Sequence, residues 1–454
     1  MPHSQMIGPV NMKKPRTASS IKKPKKPKSE EDTIGAAERD KFLSNLEEVH
    51  VDPINIHTEE GRVAANEYFK KKSMVIVRVH RSEEERKWFQ QRMITELWGT
   101  TMDGQAMTSE FASKVPRITD EASFQAFLGT LSAGLKKQLK DSFGNLFFPH
   151  TGFGGPCMNK IWHMWCIWWL RQHEQLADLA RMILETDDIK CSIDRGSIKM
   201  PGAGDHDVIH KDHTMSQEEP SNEELQGKFC ATKGSFVCVQ GSHTQHTEIF
   251  KRYSPHYKKN SGAKWGFLPK KPDPLDLFKR TKRYVIPAGS AVLWASSCVH
   301  GIIKNNTEAI NWGAYIGYLK NVERPGYYEK AGITEVEDRF RSWSRGRRPV
   351  LHPSLDETQL YPKMWQCFSK ILGKYIDERM DKNSTQYDFS KRQIERTELN
   401  GDPIWVPHLV ENDPVDYVPV PLSLLGKQLL VGKARVEQYF GVQDAEAVEV
   451  IEID

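Results

Sequence analysis

The sequence predicts an α+β protein with a mainly β core, a jelly roll of two facing sheets with flanking helices. Three observations predict it. From Lys190 onward the apolar residues recur with period two. Six to eight short strand-like runs follow, many of them punctuated by Gly or Pro. Before Lys190 the apolar positions recur at helical spacing instead.

Taken in order, residues 1–35 are rich in Pro, Lys and Ser and show no apolar period, so they are expected to be a disordered basic tail. Residues 36–48 read as a short helix, and Glu60 to Lys71 as another. Ser73 to Arg78 is a β-branched strand. Ser82 and Glu85 have the spacing of a capping box that opens a helix to about Trp98. Phe124 to Leu139 gives an amphipathic helix, and Phe148 to Pro156 a Gly/Pro loop. A long helix is expected from about Asn159 to Glu185, its stripe of Trp162, Trp165, Trp169, Leu176, Leu179 and Ile183 facing a sheet. His163 and His173 read as ordinary residues of that helix.

The strand runs are Ser192 to Lys199, Val208 to Lys211, Gly227 to Thr232, Ser235 to Val239, Lys282 to Pro287, Ala291 to Trp294 and Trp312 to Tyr318. Between them, Gln245 to Arg280 is a long polar and basic insertion, a length typical of binding loops. Residues 36–321 are thus expected to form the main domain. Residues 322–454 are expected to be an extension packed on it, with a helix over Met364 to Arg379 and an acidic end from Asp444 to Asp454.

The net charge of +4 is unevenly placed. Residues 1–28 hold eight Lys or Arg and no acid, so the rest of the chain carries −4. The seven Cys include no CxxC pair and are odd in number, which speaks for buried thiols in a reducing compartment and against a disulfide framework. The N-terminus lacks the apolar core of a signal peptide, and the most apolar run, Ile161 to Leu170, is too short to span a bilayer. A soluble intracellular protein is expected, in nucleus or cytoplasm. The Lys-rich run Lys22 to Lys28 reads as an import signal, a nucleic-acid-binding arm or a solvated tail.

One stretch carries chemistry, PGAGDHDVIHKDH over Pro201 to His213. His210 and Asp212 are two apart, so on an extended strand both point to one side. His300 ends the apolar run AVLWASSCVH far downstream. Two His and one carboxylate are the ligand set of a non-haem Fe(II) site that keeps positions open for a co-substrate and O2. His206 and His213 read as groups around the site or on the surface. Ser242 and His243 read as braces of a strand end.

The order of four segments resembles the phytanoyl-CoA dioxygenase-like family of Fe(II)/2-oxoglutarate-dependent oxygenases over roughly residues 60–320. These are EYFKKKSMVIVRVHRSEEE, the HKD at 210–212, KGSFVCVQGSHTQH at 233–246, and IPAGSAVLWASSCVHG. WSRGRRPVLHPSLD at 343–356 is similar to a tail segment of distant members. The resemblance implies a cupin-like double-stranded β-helix with helices on one sheet. It implies that His210, Asp212 and His300 bind Fe(II), with 2-oxoglutarate as co-substrate and O2 as oxidant, and that a small-molecule or lipid-like substrate is hydroxylated. Members usually carry an Arg about eleven residues after the distal His, to pair with the far carboxylate of 2-oxoglutarate. Here that position is Asn311. Some relatives use a Lys on the strand after the His-x-Asp loop, which makes Lys228 the candidate; Lys304 and Arg195 are weaker ones. Three other readings stand beside this one. The first is an inactive β-helix that serves as a scaffold. The second is a nucleic-acid-associated protein that uses the tail and the basic insertion. The third is a zinc hydrolase, for which no HExxH-type motif is present.

Overall fold

The computed structural model describes residues 46–97, 120–130, 133, 163–194, 196–199, 201, 208–211, 224–257, 275–302, 305, 307–322, 334–344, 397–399, 402–404 and 419–441. The basic tail, the loop at 148–156, the helix expected at 364–379 and the acidic end lie outside these residues, as do Arg195, His206, Asp212, His213 and Lys304.

The described elements begin with β1 (Glu48–His50), β2 (Ile54–Asn55), α1 (Glu59–Lys72), β3 (Met74–Arg78) and α2 (Glu83–Leu97). Then come α3 (Glu121–Thr130), α4 (Trp165–Arg171), α5 (Glu174–Leu184), β4 (Ile189–Cys191), β5 (Gly196–Lys199), β6 (Val208–His210), β7 (Glu224–Cys230) and β8 (Gly234–Cys238). After a 3-10 turn follow α6 (His246–Tyr257), α7 (Leu277–Arg280), β9 (Lys282–Ile286), β10 (Ser290–Ala295), β11 (His300–Ile302), β12 (Asn311–Lys320) and α8 (Glu335–Ser344). The hairpin β13 (Thr397–Leu399) and β14 (Asp402–Ile404) and the helices α9 (Leu424–Val431) and α10 (Val436–Phe440) complete the series.

The core is a pair of sheets with helices, a mixed α/β arrangement. One sheet has the order β1-β9-β8-β11-β6; the other runs β2-β3-β10-β7-β12-β4, with β5 also on β12. Strand alternation makes the layers. On β3, β7 and β10, residues Met74, Ile76, Cys230, Val292 and Trp294 face the other sheet. There they meet Phe236, Cys238, Tyr284 and Ile286 from β8 and β9. Their neighbours Val75, Val77, Leu225, Phe229, Ala291 and Leu293 face the opposite way, onto the helices. Phe89, Phe124 and Phe127 are buried in that helical layer, and a side chain of this kind contributes roughly 1.5–3 kcal/mol when fully buried. Trp312 is completely buried on β12, its indole Nε1 donating to Glu121 Oε2 at 2.6 Å, with the Phe124 ring 5.2 Å away. Gly313 lets β12 lie this close to β7: a Cβ there would stand 2.1 Å from the Phe229 carbonyl oxygen.

Several expectations change. Residues 48–50 are a strand, not the end of a helix; they pair parallel with β9, a long-range contact that local pattern does not carry. The long helix is broken in two. Gln172 and His173 leave the helical path, and Gln172 Oε1 accepts from Ser423 N at 2.7 Å and Ser423 Oγ at 2.9 Å. His163 precedes the first half and is buried between Trp168 Nε1 at 3.1 Å and Ser342 Oγ at 2.9 Å. The insertion after Gln245 begins with a helix, α6, because Ile249 and Tyr253 share a buried face against Val239, Leu277 and Phe278. The capping box is present in altered form: Ser82 Oγ accepts from Glu85 N at 3.2 Å, and Glu85 reaches back to Arg81 N at 2.7 Å.

Candidate metal centre

Strands β6 and β11 run antiparallel, with His210 directly opposite His300. Opposed residues share a face of a sheet, so both rings project into the same space. Their centroids are 4.5 Å apart. Both residues are buried, at 7% and 4% exposure. The His300 ring lies 5.0 Å from Trp294 and 5.9 Å from Phe236, so aromatic faces wall the pair.

The tautomer of His300 follows from its partner. Nδ1 stands 3.0 Å from the Cys298 carbonyl oxygen, which can only accept. Nδ1 therefore carries the proton, and Nε2 presents the lone pair, as in metal-ligating histidines. The turn that delivers His300 is itself braced. Ser242 Oγ accepts from Val299 N at 2.8 Å, and the hydroxyls of Ser73 and Ser242 lie 3.3 Å and 3.5 Å from Cys298 Sγ. The Cys238 thiol and the two hydroxyls hold the Cys298 sulfur below the usual thiol range, while burial pushes Cys238 up. Ser242 thus touches the backbone that positions His300, in keeping with its reading as a brace.

Lys211, between His210 and Asp212, turns to the other face. It is fully buried, and its Nζ contacts His246 Nδ1 on α6. Burial pulls its ammonium down to about 7. Among the described residues no group of three His, Cys, Asp or Glu is placed to hold a metal ion. The described pair supplies two nitrogens, and Asp212 lies outside those residues. Two neutral imidazoles joined by one carboxylate suit Fe(II), so the donor chemistry fits the expected metal.

The second cluster of candidates also comes together. Lys228, on the inward row Gln226, Lys228 and Cys230 of β7, donates from Nζ to Asn311 Oδ1 at 3.1 Å. The Asn311 carboxamide is oriented by its own donation to the Lys233 carbonyl at 3.0 Å. Both residues line a cavity of about 120 Å3 together with Lys199, Lys233, Arg283 and Asn305. Sequence reading missed Lys199 and Arg283. The signal for Lys199 was present only as a charged residue at the end of a strand otherwise expected to be buried.

Residues 163–311 match the family model described as Phytanoyl-CoA dioxygenase (PhyH). The chain is phytanoyl-CoA dioxygenase-like over that span. It contains His210, Asp212, Lys228, His300 and Asn311. No curated protein matches the sequence. Similar solved structures include the epimerase SnoN in complex with Fe3+, alpha ketoglutarate and nogalamycin RO, at 12% identity over 58% of this chain and 85% of that one, TM-score 0.30. HygX from Streptomyces hygroscopicus, with nickel and 2-oxoglutarate bound, shows 12% identity over 58% and 87%, TM-score 0.31. EctD from S. alaskensis, with 2-oxoglutarate and 5-hydroxyectoine, shows 14% over 60% and 81%, TM-score 0.34. Among the described residues no helix is long and apolar enough to cross a membrane. Residues 13–28, on which nucleic-acid binding would rest, lie outside the described part.

Proposed function

We propose that the chain is an Fe(II)- and 2-oxoglutarate-dependent oxygenase, a hydroxylase of a small-molecule or lipid-like substrate, built on a double-stranded β-helix. The observation that carries this reading is the His210–His300 pair, opposed across β6 and β11 within the phytanoyl-CoA dioxygenase-like segment. His210 and His300 would hold the metal through ring nitrogens, with Asp212 as the third ligand. Iron and 2-oxoglutarate would supply the oxidation of a substrate C–H bond by O2.

The chain's own part is positioning. The Cys298 carbonyl fixes the His300 ring, and Phe236 and Trp294 keep water from the pair. Lys228 would take the far carboxylate of 2-oxoglutarate, with Asn311 as the neutral partner that aims its ammonium. An ammonium supplies the charge that Asn311 lacks beside the usual Arg, although without the bidentate fork. This favours an enzyme over an inactive scaffold.

The test is release of CO2 and succinate from 2-oxoglutarate by the Fe(II)-loaded protein. His210→Ala is expected to lower turnover at least a hundredfold. Unchanged turnover in that variant would remove His210 from the centre and the reading with it.

A further inference from the structure

We propose that the cavity beyond Lys228 and Asn311 seats a dicarboxylic 2-oxo acid longer than 2-oxoglutarate, 2-oxoadipate being the first that fits. This rests on the oxygenase reading and concerns the length of its co-substrate.

Register gives the depth. On β7, Gln226 is opposite the Trp294 that packs on His300, and its Oε1 accepts from Trp294 Nε1 at 2.7 Å. Lys228 is two residues further along, roughly 7 Å of strand. On the facing sheet, Cys238 is opposite His300. Ser235 and Lys233 lie three and five residues back from it, roughly 10 and 16 Å of strand. Both line the cavity, so its wall continues past the level of Lys228.

What lies there suits an anion. The usual Arg would fill this space with a long side chain, whereas Asn311 is short and is held back by its bond to the Lys233 carbonyl. The cavity of about 120 Å3 has room for several waters. Around its far part stand the cations Lys199, Lys233 and Arg283 and the hydroxyls of Ser235 and Thr307. Arg283 is already paired with Glu48 at 3.4 Å, and Glu48 is the one carboxylate among the lining residues. The printed partner of Lys228, by contrast, is a neutral carboxamide. A carboxylate carried one methylene further out therefore still meets positive charge and donors. A 2-oxo acid that lacks the second carboxylate meets them with nothing to offer.

The test is calorimetric titration of the full chain, loaded with Mn(II), with 2-oxoglutarate, 2-oxoadipate and 2-oxobutyrate. The expected result is 2-oxoadipate binding at least as tightly as 2-oxoglutarate, with 2-oxobutyrate at least tenfold weaker than either. Asn311→Arg, which refills the space, is expected to turn the preference tenfold toward 2-oxoglutarate. Lys228→Met is expected to weaken both diacids. The wild-type comparison stands whether or not the variants fold. Binding of 2-oxoadipate threefold or more weaker than that of 2-oxoglutarate overturns the proposal and leaves the oxygenase reading standing. Binding of neither diacid overturns both.

Discussion

Neither ring nitrogen of His80 has a hydrogen-bond partner among the described residues, although the side chain is 4% exposed. It is packed instead among the rings of Phe89, Trp169 and Phe229, at 5.8, 5.3 and 4.7 Å. Burial, followed by His173, Arg86 and His57, pulls its pKa down to about 3, and His173 is likewise lowered to about 3 by burial first. In the unfolded chain both would titrate near 6.5. Between pH 6.5 and 3 the unfolded state therefore binds more protons, and stability falls as pH falls through that window. The cost is about 2 kcal/mol per histidine from pH 6.5 to pH 5. His80→Phe, which leaves no polar atom behind, is expected to be near neutral at pH 7 and to remove about half of this slope. Denaturant melts at pH 7 and pH 5 measure it; a slope equal to that of the wild type would contradict the assignment. This cluster was not legible in the sequence. His80, His57 and His173 come from three separate segments, and nothing local marks them as neighbours. His210 and Asp212 were legible as a pair because their relation is two residues of strand. The choice of Lys228 needed the inward row of β7 as well.

At the scale of elements, the end of α9 depends on one side chain of α8. Arg339, 5% exposed, donates from Nε to the Leu430 carbonyl at 2.7 Å. Its Nη2 donates to the carbonyls of Leu429 at 2.9 Å and Cys191 at 2.7 Å. A cation on the last carbonyls of a helix offsets both their unpaired acceptors and the negative end of its dipole. It also ties α8, α9 and β4 together. Arg339→Met keeps the bulk and leaves three carbonyls without that donor. It is expected to cost about 3 kcal/mol of stability. Thermal melting and proteolysis would show it, with first cleavage near residues 419–441. A melting point within a degree of the wild type would contradict this role. Element existence was easier to read than element limits. β3, α1 and α2 show their period and caps within their own residues. The break between α4 and α5 has no Gly or Pro to announce it. Gln172 is drawn out by Ser423, some 250 residues later, so the helical stripe reads as continuous. The helix α6 was hidden by its lysines and prolines, and only its packing on Val239 and Phe278 gives it a buried side.

For the whole molecule, the two sheets divide the work. The larger one is locked to the helices through Trp312, Phe229 and the Phe cluster, and it presents Gln226, Lys228 and Asn311 on its other face. The smaller one carries His210 and His300 and is backed by α6 and α7. The candidate metal centre and the cationic cavity thus lie on elements packed from both sides, which suits a site that must hold its geometry. The alternation of the strands made this layering readable, while the sheet order depended on pairings such as β1 with β9 that no local pattern contains. The central claim is that His210, Asp212 and His300 together hold one divalent metal. The most direct measurement is calorimetric Mn(II) binding to the full chain beside His210→Ala, Asp212→Ala and His300→Ala, with circular dichroism to show that each variant is folded. One site in the wild type, weakened at least a hundredfold in every variant, is the expected result. Wild-type affinity retained in any folded variant would contradict the claim.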